Sequence, residues 1–423
     1  MKNYRLIFEE KFSLISSEAH INQYLNHRDI FGSSHEYLFH FSRNGMAREL
    51  HRHIDNQKWQ ILGKKLLRKD FYNHLLAQGK ILRKELREFL SKINESNLEG
   101  FSDGQLAKLF VAAYKLFARF RGLFKTSRPE FLSVAENRLR TLLTKKLNNS
   151  TQVQSHFEMF TTPYQYDEIN QESLAWLKIV SKVKPQAFER ILVKHVYRFP
   201  WMVGPTYGKK QIVVFFRKKY LNQRKNLTAL RAQVLKLKRN KSRLKARQRY
   251  LLKKFKSKEI TYLSWLFQQA AIERMRLKGG WWGADFLFFP LYHEISKRSH
   301  VLLEDLYSFY CIEEVILSLK EHHPVVSKQE LGRRRDAYVL WLKNRKLSFF
   351  SGKSAEKIIN QELKQMYAKQ TGASLKGKIA SSGFAVGRVR ILFASNLKML
   401  NEAIKIVKKG EICLLYTSPS PRD

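Results

Sequence analysis

Apolar side chains recur at helical spacing through most of this chain, and that periodicity limits the fold more than any other feature. In KLLRKDFYNHLLAQGKILRKELREFLSKI the apolar residues fall mostly on one helical face: Leu66, Phe71, Leu75, Leu82, Leu86 and Leu90. FSDGQLAKLFVAAYKLFARFRGLF follows with the same pattern, and Ser102 precedes it as a candidate N-cap. We therefore predict helices from Lys11 to about Leu147, and an N-terminal helical region over residues 1–150.

A turn-rich stretch, TTPYQYDEINQES, separates this region from a second one. After it the apolar spacing predicts helices over residues 174–183, 188–197, 293–299, 311–319, 328–344 and 355–368. Residues 151–368 thus form a second helical region. The predicted fold class is mainly α, with a multi-helix body.

A long basic helix is predicted over residues 223–256 of the second region. Leu230, Leu237, Leu244 and Leu251 recur every seven residues, and Leu227 and Val234 fill the companion position of the heptad. Lys241 and Gln248 then interrupt that position. A stripe this narrow is typical of a coiled-coil seam or of an antiparallel helical arm, and an oligomerisation arm is a further interpretation.

Positive charge is the strongest compositional signal. The formal net charge is +43, and eighteen Lys and Arg with no Asp or Glu lie between Arg217 and Lys258. Such a surface attracts nucleic acid, anionic lipid or phosphorylated ligands. The nucleic-acid-binding candidates on the basic helix are Arg231, Lys238, Arg239, Lys241, Arg243 and Arg247. They would contact phosphates without reading bases, as in a non-enzymatic nucleic-acid or ribosome-binding protein.

Other residue patterns do not support a metal, nucleotide or nucleophile site. His51 and His53 are two residues apart, which on a helix points them to nearly opposite sides. SGKS resembles the end of a phosphate-binding loop, but Leu347 stands where that loop needs a glycine, so a turn that caps the next helix is the better interpretation. We therefore predict no catalytic, cofactor-binding or metal-binding residue within this chain.

The cellular location follows from what the sequence lacks. Cys311 and Cys413 are too few for a disulfide framework, which favours a reducing compartment. The N-terminus is charged throughout, and the most apolar stretch, WWGADFLFFPLY, is too short to cross a bilayer. We expect a cytoplasmic protein that does not bind membranes.

The segment LKGKIASSGFAVGRVRIL, residues 375–392, departs from the helical pattern. Apolar and polar residues alternate in it around three glycines, which predicts a strand, a tight turn and a second strand. NLKMLNEAIKIVKKGEI follows, with the pattern of a short helix and a further strand. Residues 373–412 are therefore predicted to form a small β/β/α unit.

These residues resemble the start of the swivelling phosphohistidine domain of phosphoenolpyruvate-utilising enzymes, the family of phosphoenolpyruvate synthase and pyruvate phosphate dikinase. The positions that fit the family pattern are, in order, Lys376, Gly377, Ala380, Ser381, Gly383, Gly387, Val389, Gly410, Glu411 and Ile412. Three helical segments resemble the region that precedes this mobile domain in small synthase-like proteins: TTPYQYDEINQESLAWLKIV, LVKHVYRFPWMVGPTYG and LEDLYSFYCIEEVILSL.

The resemblance implies a phosphotransferase whose mobile domain carries a phosphoryl group on a histidine, using ATP and Mg in the intact enzyme. The family's histidine follows the Gly-Glu-Ile strand in a Thr-x-Gly-Gly-x-x-Ser/Thr-His context, and no residues here match it. An ATP-binding module on a separate chain and a phosphorylated small-molecule substrate are the implied partners. The chain as given is expected to be inactive towards ATP and phosphoenolpyruvate.

The last residues, CLLYTSPSPRD (413–423), depart from the family pattern. They resemble the translation of a sequencing adaptor joined in frame to a broken gene fragment, so we predict a foreign tail that replaces the expected strand. A natural disordered tail is the alternative. On either interpretation the mobile domain is incomplete, and only its N-terminal half is present.

Overall fold

The structure, a computed structural model, describes residues 4–26, 37–95, 97–147, 149–203, 209–344, 346–367, 386–394, 407–408 and 410–417. The chain divides into two compact units. One, the sheet unit, takes its residues from Met1–Phe12, His35–Asp55 and Ser327–Asp423; the other, the helical unit, comprises Ser13–Ser34 and Asn56–Val326. The predicted boundary near residue 150 falls inside the helical unit.

Seven strands are described. In chain order they are β1 (Tyr4–Lys11), β2 (Tyr37–Arg43), β3 (Met46–Arg52), β4 (Ala337–Lys343), β5 (Lys346–Ser351), β6 (Arg388–Ala394) and β7 (Glu411–Thr417).

Helices make up most of the described chain, so the fold is mainly α, as the periodicity predicts. In chain order they are α1 (Leu14–Asn26), α2 (His53–Gly63), α3 (Lys69–Glu95), α4 (Asp103–Lys125), α5 (Pro129–Thr144), α6 (Ser150–Thr161), α7 (Glu168–Lys182), α8 (Phe188–Arg198), α9 (Lys209–Lys225), α10 (Leu227–Phe255), α11 (Lys258–Lys278), α12 (Ala284–Leu287), α13 (Phe289–Ser299), α14 (Leu303–Phe309), α15 (Ile312–Glu321), α16 (Lys328–Asp336) and α17 (Gly352–Tyr367). Among the described helices, none is both long and apolar enough to span a membrane.

The sheet unit is built on an antiparallel sheet with strand order β1-β3-β2-β4-β5. The central strand β2 pairs with β3 on one side and with β4 on the other. Phe39 and Phe41 of β2 are fully buried in a core to which α17 contributes Ala355 and Ile359. The hydrophobic effect therefore holds together strands from the two ends of the chain.

Two helix predictions are wrong in this unit. Residues 37–52 form the β2–β3 hairpin, because Asn44 and Gly45 adopt φ of 50° and 75°, the left-handed turn that joins paired strands. The predicted helix over residues 328–344 ends at Asp336 and continues as β4, because AYVLWL is apolar on both faces and lies between two neighbouring strands.

The helical unit follows the predicted periodicity closely. Leu66, Leu75, Leu82 and Leu86 are buried, while Phe71 and Leu90 are half-buried at the edge of the same face. Ser102 caps α4, since its side chain accepts from the Gln105 N–H while the Gln105 side chain accepts from the Ser102 N–H. The predicted N-cap is confirmed.

The strands β6 and β7 run parallel to each other, with Arg388 opposite Glu411 and Ala394 opposite Thr417. The second strand predicted in the segment 375–392 corresponds to β6, whereas the first strand and its turn lie outside the described residues. β7 crosses the predicted boundary at residue 413 without a break. The expectation that residues 413 onward abandon the strand is therefore wrong up to Thr417, because CLLYT keeps the β-forming character of the residues before it.

Candidate functional site

The basic helix predicted from the heptad leucines is divided in two. Asn226 has non-helical angles, φ −116° and ψ 41°, so α9 ends at Lys225 and α10 begins at Leu227. The 29 residues of α10 span about 43 Å. They carry eleven Lys and Arg and no acidic residue. Lys256, which follows the helix in the left-handed conformation, brings the number of cations to twelve.

One side of α10 packs against its own chain. Val234 and Leu251 are buried, and Leu230, Leu237 and Leu244 are half-buried along the same stripe. Their neighbours are α6, α7 and α11 of the helical unit. The leucine stripe therefore forms a seam within the chain.

The two residues that interrupt the heptad have a specific task in this seam. Gln248 Nε2 donates to the main-chain oxygens of Met159 and Thr162, at 2.5 and 2.8 Å. Lys241 Nζ donates to the Pro163 oxygen at 2.6 Å. These oxygens lie at the end of α6 and just beyond it, where the last carbonyls of a helix have no partner in the helix itself.

The helix α11 completes this cap from the other side. Ser264 Oγ and Gln268 Nε2 both donate to the Phe160 oxygen, at 2.8 and 3.0 Å. Because Pro163 has no N–H, it cannot serve as the i+4 donor for Met159, and Gln248 takes its place. Polar side chains of α10 and α11 thus satisfy the carbonyls at this helix end.

The opposite side of α10 is open and cationic. Of the six predicted nucleic-acid-binding residues, five are exposed: Arg231, Lys238, Arg239, Arg243 and Arg247. Lys241 is the exception, since it is half-buried and bonded to Pro163. Burial lowers the pKa of Lys241, and the nearby Asp167 opposes that shift. This bond makes Lys241 part of the seam, and its role as a phosphate contact stays a prediction.

Arginines at four-residue spacing define a straight outer row on this helix. Arg239, Arg243 and Arg247 lie one helical turn apart, and Lys236 and Lys254 extend the row at either end. Tyr250, with 65% of its surface exposed, lies in the same row. Within the described part of the chain no ion pair neutralises any of these cations. We call these five cations the outer row; Lys236 and Lys254 are members that sequence reasoning missed, although helical spacing would have found them.

The parallel strands β6 and β7 form the second candidate site. A Cβ on Gly387 would lie 2.2 Å from the Gly410 oxygen, so glycine is required where the strands begin. Arg390 donates to Glu411 through two bonds of 2.6 Å, and this arginine is the main reason that the pKa of Glu411 falls to about 2. Residues 324–423 contain no histidine.

Comparison with known proteins gives no match. Neither the family models, nor the curated proteins, nor the solved structures include one that is similar to this chain.

Proposed function

We propose that this chain contains the helical region and the first half of the mobile phosphohistidine domain of a phosphoenolpyruvate-utilising phosphotransferase. The observation that carries the proposal is the parallel pairing of β6 with β7, with the family's Gly-x-Val and Gly-Glu-Ile residues at the start of the two strands. The family pattern places a short helix between those strands. Parallel neighbours need such a crossover connection.

The chain between these strands is long enough for that connection. Sixteen residues separate Ala394 from Glu411, and a crossover takes about a dozen or more. Close packing of Gly387 on Gly410 and the Arg390–Glu411 ion pair fix both strands at the same end. A carrier domain needs this local rigidity, since it delivers its phosphoryl group by moving as a body.

In the proposed enzyme the nucleophile is a histidine outside the given sequence, which attacks a phosphorus atom and releases the donor's leaving group. ATP with Mg would be the phosphoryl donor, bound at an ATP-binding module on a separate chain or segment. A phosphorylated small molecule would be formed or used at a second site. The cytoplasm, where ATP and phosphoenolpyruvate occur, is the proposed location.

The test is the uninterrupted coding sequence beyond codon 412. We expect a Gly-Gly-x-x-Ser/Thr-His motif within a few dozen codons, and an acid-labile, base-stable phosphate on that histidine when the extended protein is incubated with labelled phosphoenolpyruvate or ATP and its module. The histidine-to-alanine variant is the control. A continuation without the motif, or with the motif but no such label, would contradict the proposal.

A second candidate function is nucleic-acid binding along α10, and the outer row favours it. The helix α10 and Lys256 together carry twelve cations, and all of them except Lys241 are exposed. None of the twelve has an acidic partner in the described chain. Duplex or single-stranded phosphates spaced along about 43 Å could contact successive turns of such a helix. Affinity from phosphate contacts alone would fall steeply with salt.

This second proposal is tested by fluorescence anisotropy with labelled RNA and duplex DNA over roughly 50 to 200 mM salt. The variant R239E/R243E/R247E should lose most of the affinity and reduce the salt slope by about three. K145E/K146E/K184E reverses the same number of exposed charges elsewhere in the helical unit and is the matched control. Equal losses in both variants would show that net charge, rather than this helix, attracts nucleic acid.

A further inference from the structure

A basic groove lies where α10 ends and α11 begins, beside the start of α3. Its volume is about 540 Å³, within the range of small-molecule sites. Four exposed lysines line it: Lys69, Lys253, Lys256 and Lys258. The indole of Trp265 lines the same groove.

The reversal of the chain between the two helices brings these lysines together. Lys256 ends α10 in the left-handed conformation, with φ 48° and ψ 41°. Ser257 then caps α11 by accepting from the Ile260 N–H at 3.2 Å. Lys253 and Lys258 consequently lie on either side of a tight corner, and Lys69 faces them from α3.

Asp70 and Glu259, the acidic residues next to Lys69 and Lys258 in sequence, are paired with arginines. Arg68 donates to both oxygens of Asp70, and Arg138 donates to both oxygens of Glu259, with shortest distances of 2.5 Å in each pair. Both arginines hold the pKa of their partner carboxyl below its usual value. In the part of the chain that the structure describes, none of the four lysines has a carboxylate partner, so their charges are available to a ligand.

Trp265 gives the groove a fixed flat wall. Tyr72 meets the indole edge-on at 5.7 Å, Tyr262 lies tilted against it at 5.9 Å, and Lys69 Nζ stands 5.9 Å from its centre. The Tyr262 hydroxyl donates to the Leu66 oxygen at 2.6 Å, which anchors that ring. Burial raises the pKa of Tyr262 to about 12, so the phenol stays neutral and remains a donor.

We propose that this groove binds a nucleoside polyphosphate, with the base against Trp265 and the phosphates among the four lysines. A planar, apolar surface beside unneutralised cations matches the two halves of a nucleotide, whereas inorganic phosphate or a lipid headgroup would leave the indole unused. The site lies in the helical unit, so it goes beyond the proposed phosphoryl transfer and is independent of the β6–β7 unit.

The proposal is tested by calorimetric titration of the full 423-residue chain with ATP, ADP, adenosine, tripolyphosphate and a ten-residue oligoadenylate. ATP should bind more tightly than adenosine or tripolyphosphate. Adenosine can contact only Trp265, and tripolyphosphate can contact only the lysines. K69E/K258E should weaken ATP by about tenfold or more through charge reversal at exposed sites. W265L should weaken ATP roughly tenfold while it leaves tripolyphosphate unchanged.

R239E/R243E/R247E, which reverses charges on the outer row, is the control and should leave ATP affinity within about twofold of the wild type. Circular dichroism checks that each variant folds. If W265L does not fold, K69E/K258E still tests the proposal. The proposal is wrong if tripolyphosphate binds as tightly as ATP, if the control weakens ATP as much as K69E/K258E does, or if ATP does not bind. It is also wrong if the oligoadenylate binds this groove more tightly than ATP, since that would identify it as a single-strand RNA site.

Discussion

Gln248 on α10 donates a 2.5 Å hydrogen bond to the main-chain oxygen of Met159, the residue whose helical partner would have been Pro163. The glutamine is almost fully buried, and its own oxygen accepts from Gln268 Nε2 at 3.3 Å. A polar residue in the middle of a leucine heptad is therefore required by the neighbouring helix. It aligns α10 with the end of α6.

Replacing Gln248 with leucine should destabilise the protein, although it makes the heptad more regular. Q248L leaves the buried oxygen of Met159 without a donor and removes the bond to Thr162, which costs about 1–3 kcal/mol. Urea unfolding measures the change, and S242A, at an exposed position of the same helix, should stay within about 0.5 kcal/mol of the wild type. A Q248L protein as stable as the wild type would show that the cap contributes nothing.

Lys241 and Lys238 should separate stability from nucleic-acid binding. K241M removes the bond to Pro163 and should lower the free energy of unfolding by roughly 1–3 kcal/mol, with little effect on RNA affinity. K238M removes an exposed cation, so it should weaken RNA binding and leave the free energy of unfolding nearly unchanged. Unfolding curves and anisotropy on the two variants give the comparison. Loss of RNA affinity in K241M alone would support the prediction that Lys241 contacts phosphates.

The carboxyl of Glu18 should make stability depend on pH. It accepts from the Ile312 N–H at 2.9 Å at the start of α15. Burial is the main cause that raises its pKa from about 4.5 to about 7; the bond from Ile312 opposes the shift, and Glu313 and Glu314 add to it. The folded state therefore holds this proton more tightly than the unfolded state. The stabilisation is complete below about pH 4.5 and is lost as pH rises towards 7 and above.

The variant E18Q keeps an acceptor for Ile312 but cannot ionise. Relative to the wild type it should gain stability as pH rises from 4.5 to 8, by on the order of 1–3 kcal/mol. Thermal or urea unfolding at several pH values measures this difference. E313Q removes one of the neighbouring charges and should reproduce only a small part of the effect. A wild-type-minus-E18Q difference that is constant with pH would refute the ionisation of Glu18 as its cause.

Gly387 should tolerate no side chain. In G387A the new methyl group would lie 2.2 Å from the Gly410 oxygen, so the start of the β6–β7 pair must open. Hydrogen exchange should show lost protection in residues 388–394, with no change in the helical unit. V386A, whose parent side chain is 84% exposed, is the control. Unchanged protection in G387A would show that the two strands do not pack as closely as described here.

Helical spacing predicted the helical unit well because local periodicity decides which face of a helix is buried. It identified the buried leucines of α3, the Ser102 cap and the leucine stripe of α10. It did not predict the hydrogen bonds of Lys241 and Gln248, since their partners lie at the end of α6 and just beyond it, about 80 to 90 residues away in sequence. Pro163 was visible in the sequence, but only the packing of the helices shows which side chain replaces its missing N–H.

The sheet was missed for a different reason. The Asn44–Gly45 pair between FHFS and MARE is a hairpin signal that was available in the sequence, and the helical pattern around it obscured it. β4 gave a weaker signal, because AYVLWL follows a helix without a break and reads equally as a buried helix or a central strand. Its partner β2 lies almost 300 residues earlier in the sequence, so a local sequence pattern cannot predict that the two strands pair.

The pairing of Arg43 with Ala337 also determines when this protein can finish folding. At a synthesis rate of about 5–20 residues per second, β2 waits roughly 15–60 s for β4 to be translated. During that interval Phe39 and Phe41 have no cover from α17 or β4, and an unpaired aromatic strand edge invites association with other nascent chains. Chaperone demand in the cell should therefore come from the first fifty residues, long before the polypeptide is complete.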